Sequence, residues 1–466
     1  MKSANRVGKS TLEPIDARTW RLCWVIVLGA FASGLDASIV NVGLDSMSRS
    51  LHAPLAVTQW VASGYLLALA VSLPAAGWLA RRIGSGRLWL LALAGFTLAS
   101  IACALAPTVE LLITARVVQG LTGGILIPTG QTVLGQAVGP ARLGRAMGTL
   151  GIAVSAAPAI GSLLGGVMLR FASWPWLFLI NVPIGVAGLI LGRRLIPRGE
   201  PRTGLPLHRT GLVLVAIGLP ALVLATTWWG DTGRLGPGVL LAGGTAIVAL
   251  VAFVAVSLRV RHPLFDVRLY RIAAFRAGAI TALFSGALIF GSGVLFALYF
   301  QLGRGQSPLQ AGISLAGVAV ATSITAPFTG WWVDRRGPAP VAMTGALLAL
   351  VATVLLARLP LSASFWLVQA LLIGFGAAVS LVAMPAGIAA YQAVSEQQLP
   401  DAITQVNILQ RIGGSLGGAI CAVLIAGSPG DPEGAFGRAS LVLVLCAAAC
   451  TVGAGLIRRA GGGDGQ

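Results

Sequence analysis

Apolar residues in this chain come in long blocks, separated by short polar stretches that hold most of the arginine. A membrane-spanning helix needs ~20 mostly apolar residues. Blocks of that kind follow one another at roughly 20–45, 58–80, 88–107, 111–138, 146–169, 175–192, 210–229, 238–258, 274–302, 311–333, 340–357, 363–392, 402–426 and 437–457. The pattern predicts an all-α membrane protein with fourteen transmembrane helices. Glycine and proline inside the blocks do not oppose this, because neighbouring helices re-satisfy the freed backbone groups.

Composition sharpens the picture. Of 466 residues 56% are apolar and 10% charged, and mean hydropathy is +0.87. Soluble domains carry about 25% charged residues, so composition argues against a large soluble α/β enzyme. Net charge is +18, with lysine only at Lys2 and Lys9. The placement of that charge decides its meaning. With a cytoplasmic N-terminus, the inner segments hold 24 basic residues and the outer loops six, Arg116 and Arg411 lying inside spans. The bias sets both termini inside and assigns the charge to anionic inner-leaflet lipid, not nucleic acid. The first block runs too far for a signal-peptide core and reads as a retained spanner. Cys23, Cys103, Cys421, Cys446 and Cys450 have no metal-ligand spacing and read as small packing residues. "GKST" (8–11) lacks the glycine and the strand of a phosphate loop, which removes ATP as an energy source.

One element occurs twice. "PAAGWLARRIG" (74–84) and "PFTGWWVDRRG" (327–337) align Pro74 with Pro327, Gly77 with Gly330, Trp78 with Trp331, Arg82 with Arg335 and Gly84 with Gly337. Both copies fall on the inner side, after the second and the tenth span. The chain therefore divides into a tail (1–19), a six-helix bundle (20–192), linkers with two extra spans (193–273), a second six-helix bundle (274–457) and a tail (458–466). Parallel repeats of this type are a transporter architecture.

The chemistry is sparse. Asp36 lies about 16 residues into the first block, where a carboxylate is costly and usually faces a cavity, relays protons or binds cations. No other acid is so placed: Asp334 and Glu110 sit at membrane edges, and Asp231, Asp431 and Glu433 in outer loops. Arg116, in the fourth span and permanently charged, is its natural partner. Gly151, Pro158, Gly161, Gly165 and Gly166 form a small-residue, kinked face. Asn407 and Gln410 share a helix face, and with Asn41, Tyr65, Gln119, Gln131, Tyr299 and Gln301 they are the expected substrate-cavity residues.

Six segments in order carry a resemblance: "GLDASIVNVGL" (34–44), "WVASGYLLALAVSLPAAGWLARRIG" (60–84), "RVVQGLTGG" (116–124), "GIAVSAAPAIG" (151–161), "WPWLFLINVPIG" (174–185) and "YFQLGRGQSPLQAG" (299–312). The chain resembles the fourteen-helix drug:proton antiporter branch of the major facilitator superfamily. The resemblance implies two six-helix bundles plus two central helices. It implies proton coupling through Asp36 and Arg116 with Gln119 beside them, and an antiporter motif at Gly151, Pro158 and Gly161. It also implies an inner gate built from Gly77, Arg81, Arg82, Gly84, Asp334 and Arg335. Two departures stand out. Ala157 replaces the family's glycine before the proline, and Arg81 stands where the family has an acid. An arginine there is repelled by a facing helix N-terminus, so Asp401, at the start of the thirteenth span, is the expected partner of Arg81.

The expectation is an inner-membrane secondary exporter, not an enzyme. It would use the proton gradient and no cofactor to extrude amphipathic, hydrophobic or cationic small molecules such as drugs or antibiotics, with Asp36 as the cavity acid. Its expected partners are the substrate and the bilayer, not nucleic acid. It is expected to work as a monomer, with envelope efflux components left open as further partners. The alternatives are a dedicated exporter of one host metabolite and a transport-inactive membrane sensor.

Overall fold

In a computed structural model the chain is described over residues 15–199, 201, 206–427 and 431–462. The "GKST" tail segment and the last four residues of the C-terminal tail lie outside the described residues. Among the described residues, fourteen helices are long and apolar enough to cross a membrane. In chain order they are α1 Ala17–Ser50, α2 Trp60–Ile83, α3 Ser85–Ala104, α4 Val109–Val138, α5 Leu143–Phe171, α6 Asn181–Leu195 and α7 Arg209–Thr232. There follow α8 Pro237–Arg259, α9 Ala273–Leu298, α10 Pro308–Arg336, α11 Pro338–Ala357, α12 Phe365–Gln392, α13 Leu399–Ala426 and α14 Pro432–Gly462. Several start or end a few residues beyond their apolar blocks. α13, for example, begins at Leu399 and takes Asp401 into its first turn, where the helix dipole favours an acid.

Local chemistry sets the boundaries. Asp16 caps α1 by accepting from the Arg18 and Thr19 amides (3.2 and 3.3 Å). Ser307 and Gln310 close a capping box on α10. The duplicated element ends each time in a glycine at positive φ, +92° at Gly84 and +80° at Gly337, which a side chain would strain. That explains why both copies stop in glycine.

Helices α1–α6 pack into one half and α9–α14 into another. α7 and α8 form a hairpin between them in sequence, and α7 leans on α2 and α13. Lipid is as apolar as leucine, so helices associate through close fit. Trp89 shows how: it is fully buried, and a methyl on Gly29 would come within 2.5 Å of its indole. The outer surface of α8 is a lipid face, with Leu241 75% and Val248 70% exposed.

All spans begin or end on one of two faces. The face that carries the start of α1 and the end of α14 is called the terminal face. Among the described residues, every hydrogen bond or ion pair that joins the two halves lies between this face and mid-span. The polar ties between the bundles thus gather at the terminal face.

Candidate functional site

Three constellations are built on this frame. The first is a buried charge cluster inside the N-terminal half. Asp36 sits about 28 Å along α1 at 1.5 Å per residue. Arg116 Nη1 donates to one carboxylate oxygen at 2.5 Å. The other oxygen accepts from Gln119 Nε2 at 3.0 Å and from Asn181 Nδ2 at 2.8 Å. Arg116 is held on every side: Nε donates to the Val61 carbonyl (2.9 Å), Nη1 also reaches Gln119 Oε1 (2.7 Å), and the Tyr65 ring stacks 4.1 Å from the guanidinium. Gln119 in turn donates to Ser100 Oγ at 2.7 Å. Asp36, Gln119 and Asn181 are wholly buried and Arg116 nearly so. A buried charge pair persists when its remaining hydrogen-bonding capacity is met, and here two amides meet it. Sequence reasoning missed Asn181, the one amide in the apolar run "WPWLFLINVPIG".

The second constellation is a cavity of about 170 Å³ between the halves. Its polar lining includes Gln131, Ser155, Thr322, Ser380, Asn407 and Gln410. Asn407 Nδ2 donates to Gln131 Oε1 at 2.7 Å across the halves. Met147, Leu150, Ile289 and Met384 supply apolar wall. Among the described residues no carboxylate and no basic side chain lines it.

Several expectations are corrected here. Asp36 is not a cavity acid, because it is sealed within its own half. Gln119 and Tyr65 belong to that cluster too, with Tyr65 wholly buried beneath Arg116. Asn41 is exposed one turn beyond Asp36, bonded only to the Ala37 carbonyl (3.4 Å), and is not part of the lining. Tyr299 and Gln301 lie in a π-turn at the far end of α9. There Tyr299 packs on Phe300 and Phe436 and accepts from Arg304 Nε at 3.2 Å. Ten residues of helix beyond the cavity residue Ile289 carry it about 15 Å away. Of the eight expected cavity residues, Gln131, Asn407 and Gln410 line it.

The antiporter-motif residues stand at the junction of these two sites. Gly151 lines the cavity, and a methyl there would come 3.0 Å from Ala326 of the other half. Gly161 seats against the backbone of Leu35, the residue before Asp36, with 2.7 Å between an added methyl and the Leu35 carbonyl. Pro158 lies between them within α5. The departure at Ala157 is met from the other side: Gly34 of α1 faces it, its absent methyl 3.0 Å away.

The third constellation closes the terminal face twice. Arg81 forms an ion pair with Asp401 and donates through Nη2 to the Leu264 carbonyl at 3.0 Å. Asp401 also accepts from the Asp266 amide at 3.2 Å. Asp334 accepts from the Gly144 and Arg145 amides, at 2.7 and 3.1 Å, and from Arg145 Nε at 2.8 Å. Gly77 and Gly330 let the paired helices meet. Arg82 and Arg335, expected in the gate, stay on their own helices. Each lies over the tryptophan one turn earlier, at 5.0 Å from Trp78 and 4.0 Å from Trp331, and both are exposed. Sequence reasoning did not foresee the linker's share at Leu264 and Asp266, nor the Gln392 bond to the Pro140 carbonyl (2.8 Å).

Comparison with known proteins gives a consistent result. The Major Facilitator Superfamily model matches residues 26–304 and 278–460. The chain is 33% identical over 427 residues to the "Multidrug resistance protein B homolog" of Mycobacterium tuberculosis, covering 90% of this chain and 78% of that protein. It is 30% identical over 437 residues to the "Tetracenomycin C resistance and export protein" of Streptomyces glaucescens, covering 91% and 79%. Among solved structures, the proton:xylose symporter XylE superposes with a TM-score of 0.65 at 12% identity, covering 92% of this chain and 95% of that one.

Proposed function

The chain belongs to the major facilitator superfamily, a family of multi-pass membrane transporters, and from that premise we propose that it is a proton-coupled exporter of amphipathic small molecules. It works in the cytoplasmic membrane with both termini inside. It functions as a monomer, driven by the proton gradient without a resident cofactor.

The observation that carries the reading is the sealed Asp36 cluster: one mid-membrane carboxylate held by one arginine and two amides, apart from the cavity. In this reading the ionised carboxylate locks α1 to α4 and α6. A proton arriving from the outside neutralises it, releases Arg116 and loosens α1. Because Gly161 rests on Leu35 and Gly151 lines the cavity, movement of α1 passes along α5 to the substrate. The closed terminal face is then the outward-facing state, with Arg81–Asp401 and Asp334–Arg145 as its two latches. The named functions of the mycobacterial and Streptomyces relatives, multidrug resistance and antibiotic export, support efflux as the direction.

The test is uptake of a panel of dyes and lipophilic antibiotics into inverted membrane vesicles, parent beside Asp36→Asn, with and without an uncoupler. Uptake abolished by both the uncoupler and Asp36→Asn is expected. Uncoupler-sensitive uptake that survives Asp36→Asn moves the proton site elsewhere, and uptake indifferent to the uncoupler ends the antiport reading. A second reading, a dedicated exporter of one metabolite, is favoured by the likeness to the tetracenomycin exporter. It predicts transport of a single compound on the panel or of none.

A further inference from the structure

Arg411 lies about 18 Å along α13 from the terminal face at 1.5 Å per residue. It follows the cavity residue Gln410 and stands one turn beyond Asn407 on nearly the same side of the helix. Its side chain is exposed. Thr404, two turns earlier on the same face of α13, meets α2 of the other half, its Oγ1 3.0 Å from where a methyl on Gly77 would stand. The space onto which Arg411 opens is therefore the gap between the halves, beside the Gln131–Asn407 bond.

Among the described residues Arg411 has no hydrogen bond and no ion pair. The nearest candidate acid by depth, Asp36, is already claimed by Arg116, Gln119 and Asn181. The cavity beside it holds amides and hydroxyls but, among the described residues, no carboxylate. A guanidinium cannot shed its proton, and an ionisable residue within a membrane ordinarily faces a pathway and finds a counter-charge. The described residues supply none.

We propose that the missing counter-charge is the substrate's: Arg411 selects amphipathic organic anions, binding a carboxylate or phenolate while the apolar body lies against Met147, Leu150, Ile289 and Met384. Gln410 adds an amide donor beside the guanidinium. This reverses the expectation of a cationic substrate. It rests on the exporter reading for its biological sense, but it concerns binding and is tested without transport.

The experiment uses three probes with one aromatic body: pyrenebutyrate, the matching neutral alcohol and the matching trimethylammonium compound. Binding to the purified full-length protein is followed by energy transfer from its tryptophans. The parent is expected to bind the carboxylate about tenfold or more tighter than the ammonium, the scale of one charge-assisted contact. Arg411→Gln should erase that ordering and leave the alcohol unchanged, while Arg411→Lys should keep most of it. Arg411→Cys gives an independent arm, in which only a cationic thiol adduct should restore the preference and a neutral one should not. Equal affinities in the parent, a preference that survives Arg411→Gln, or no binding of any probe would overturn the proposal. Failure of the export reading is separable: vesicles that show no uncoupler-sensitive uptake would sink it while the binding order stands.

Discussion

The two copies of the duplicated element close the same face by different electrostatics. In the second copy the acid belongs to the repeated element itself, in the last turn of α10. Asp334 accepts two backbone amides at the start of α5 and the Arg145 side chain, so it draws on the positive end of a helix. In the first copy the acid has moved onto the facing helix. Asp401 sits in the first turn of α13 and satisfies that dipole itself, leaving an anionic surface that Arg81 fits. What the comparison teaches is that the latch is defined by the sum of charges at the junction, not by which strand of the repeat carries each sign.

The contrast can be broken in order of expected size. Asp334→Ala removes the acceptor of three hydrogen bonds from a nearly buried site and should cost the closed state about 3–5 kcal/mol, the cost of orphaning one side of a buried pair. Spin-label distances across the terminal face would report the opening, and a distribution like the parent's would refute the latch. Next, an added methyl at Gly330 runs into the Gly144 backbone, its carbonyl carbon at 2.7 Å. At Gly77 it meets Asp401 Oδ1 and Thr404 Oγ1 at 3.0 Å and the Pro400 carbonyl at 3.2 Å. Gly330→Ala should therefore weaken closure by about 1–3 kcal/mol and Gly77→Ala by less. Cysteine cross-linking between α5 and α10, or α2 and α13, checks which is worse.

Charge exchange sharpens the comparison further. Arg81→Asp alone puts two acids together and should impair transport. Adding Asp401→Arg should restore it only in part, because an arginine in the first turn of α13 opposes the helix dipole by about 0.3–1 kcal/mol. Full restoration would show that the dipole plays no part, and none would show that the pair is incidental. The smallest effect is expected from Arg82→Ala and Arg335→Ala, exposed residues stacked on their own helices. Vesicle uptake should stay within about twofold of the parent, in line with weak exposed cation–π contacts.

How much was legible in the sequence follows from the kind of signal each feature leaves. The fourteen spans were readable because bilayer thickness imposes a length on every apolar block. Asp36–Arg116 and Arg81–Asp401 were readable because ions within or beside a membrane must find partners, and few exist. Asn181 was not, since a neutral amide in an apolar run carries no such demand. The cavity was only half legible. Gln131, Asn407 and Gln410 line it, but Tyr299 and Gln301 do not, because depth along α9 and the π-turn that ends it decide their place and neither shows in residue type. Arg82 and Arg335 matched the repeat in sequence but turned to Trp78 and Trp331.

The separation of the Asp36 cluster from the cavity has a consequence for how such a protein can change. The groups that hold Asp36 come from α4 and α6, and those that hold Arg116 and Gln119 in turn from α2 and α3, all within one half. The cavity wall draws on α4, α5, α9, α10, α12 and α13. Substitutions at Met147, Ile289, Thr322 or Met384 can reshape what fits between the halves without touching a single bond to the carboxylate. A lineage is free to retune its cargo by drift in the wall while the buried ionic assembly is inherited intact, and only α4 and α5, shared or adjacent to both, would constrain the two to change together.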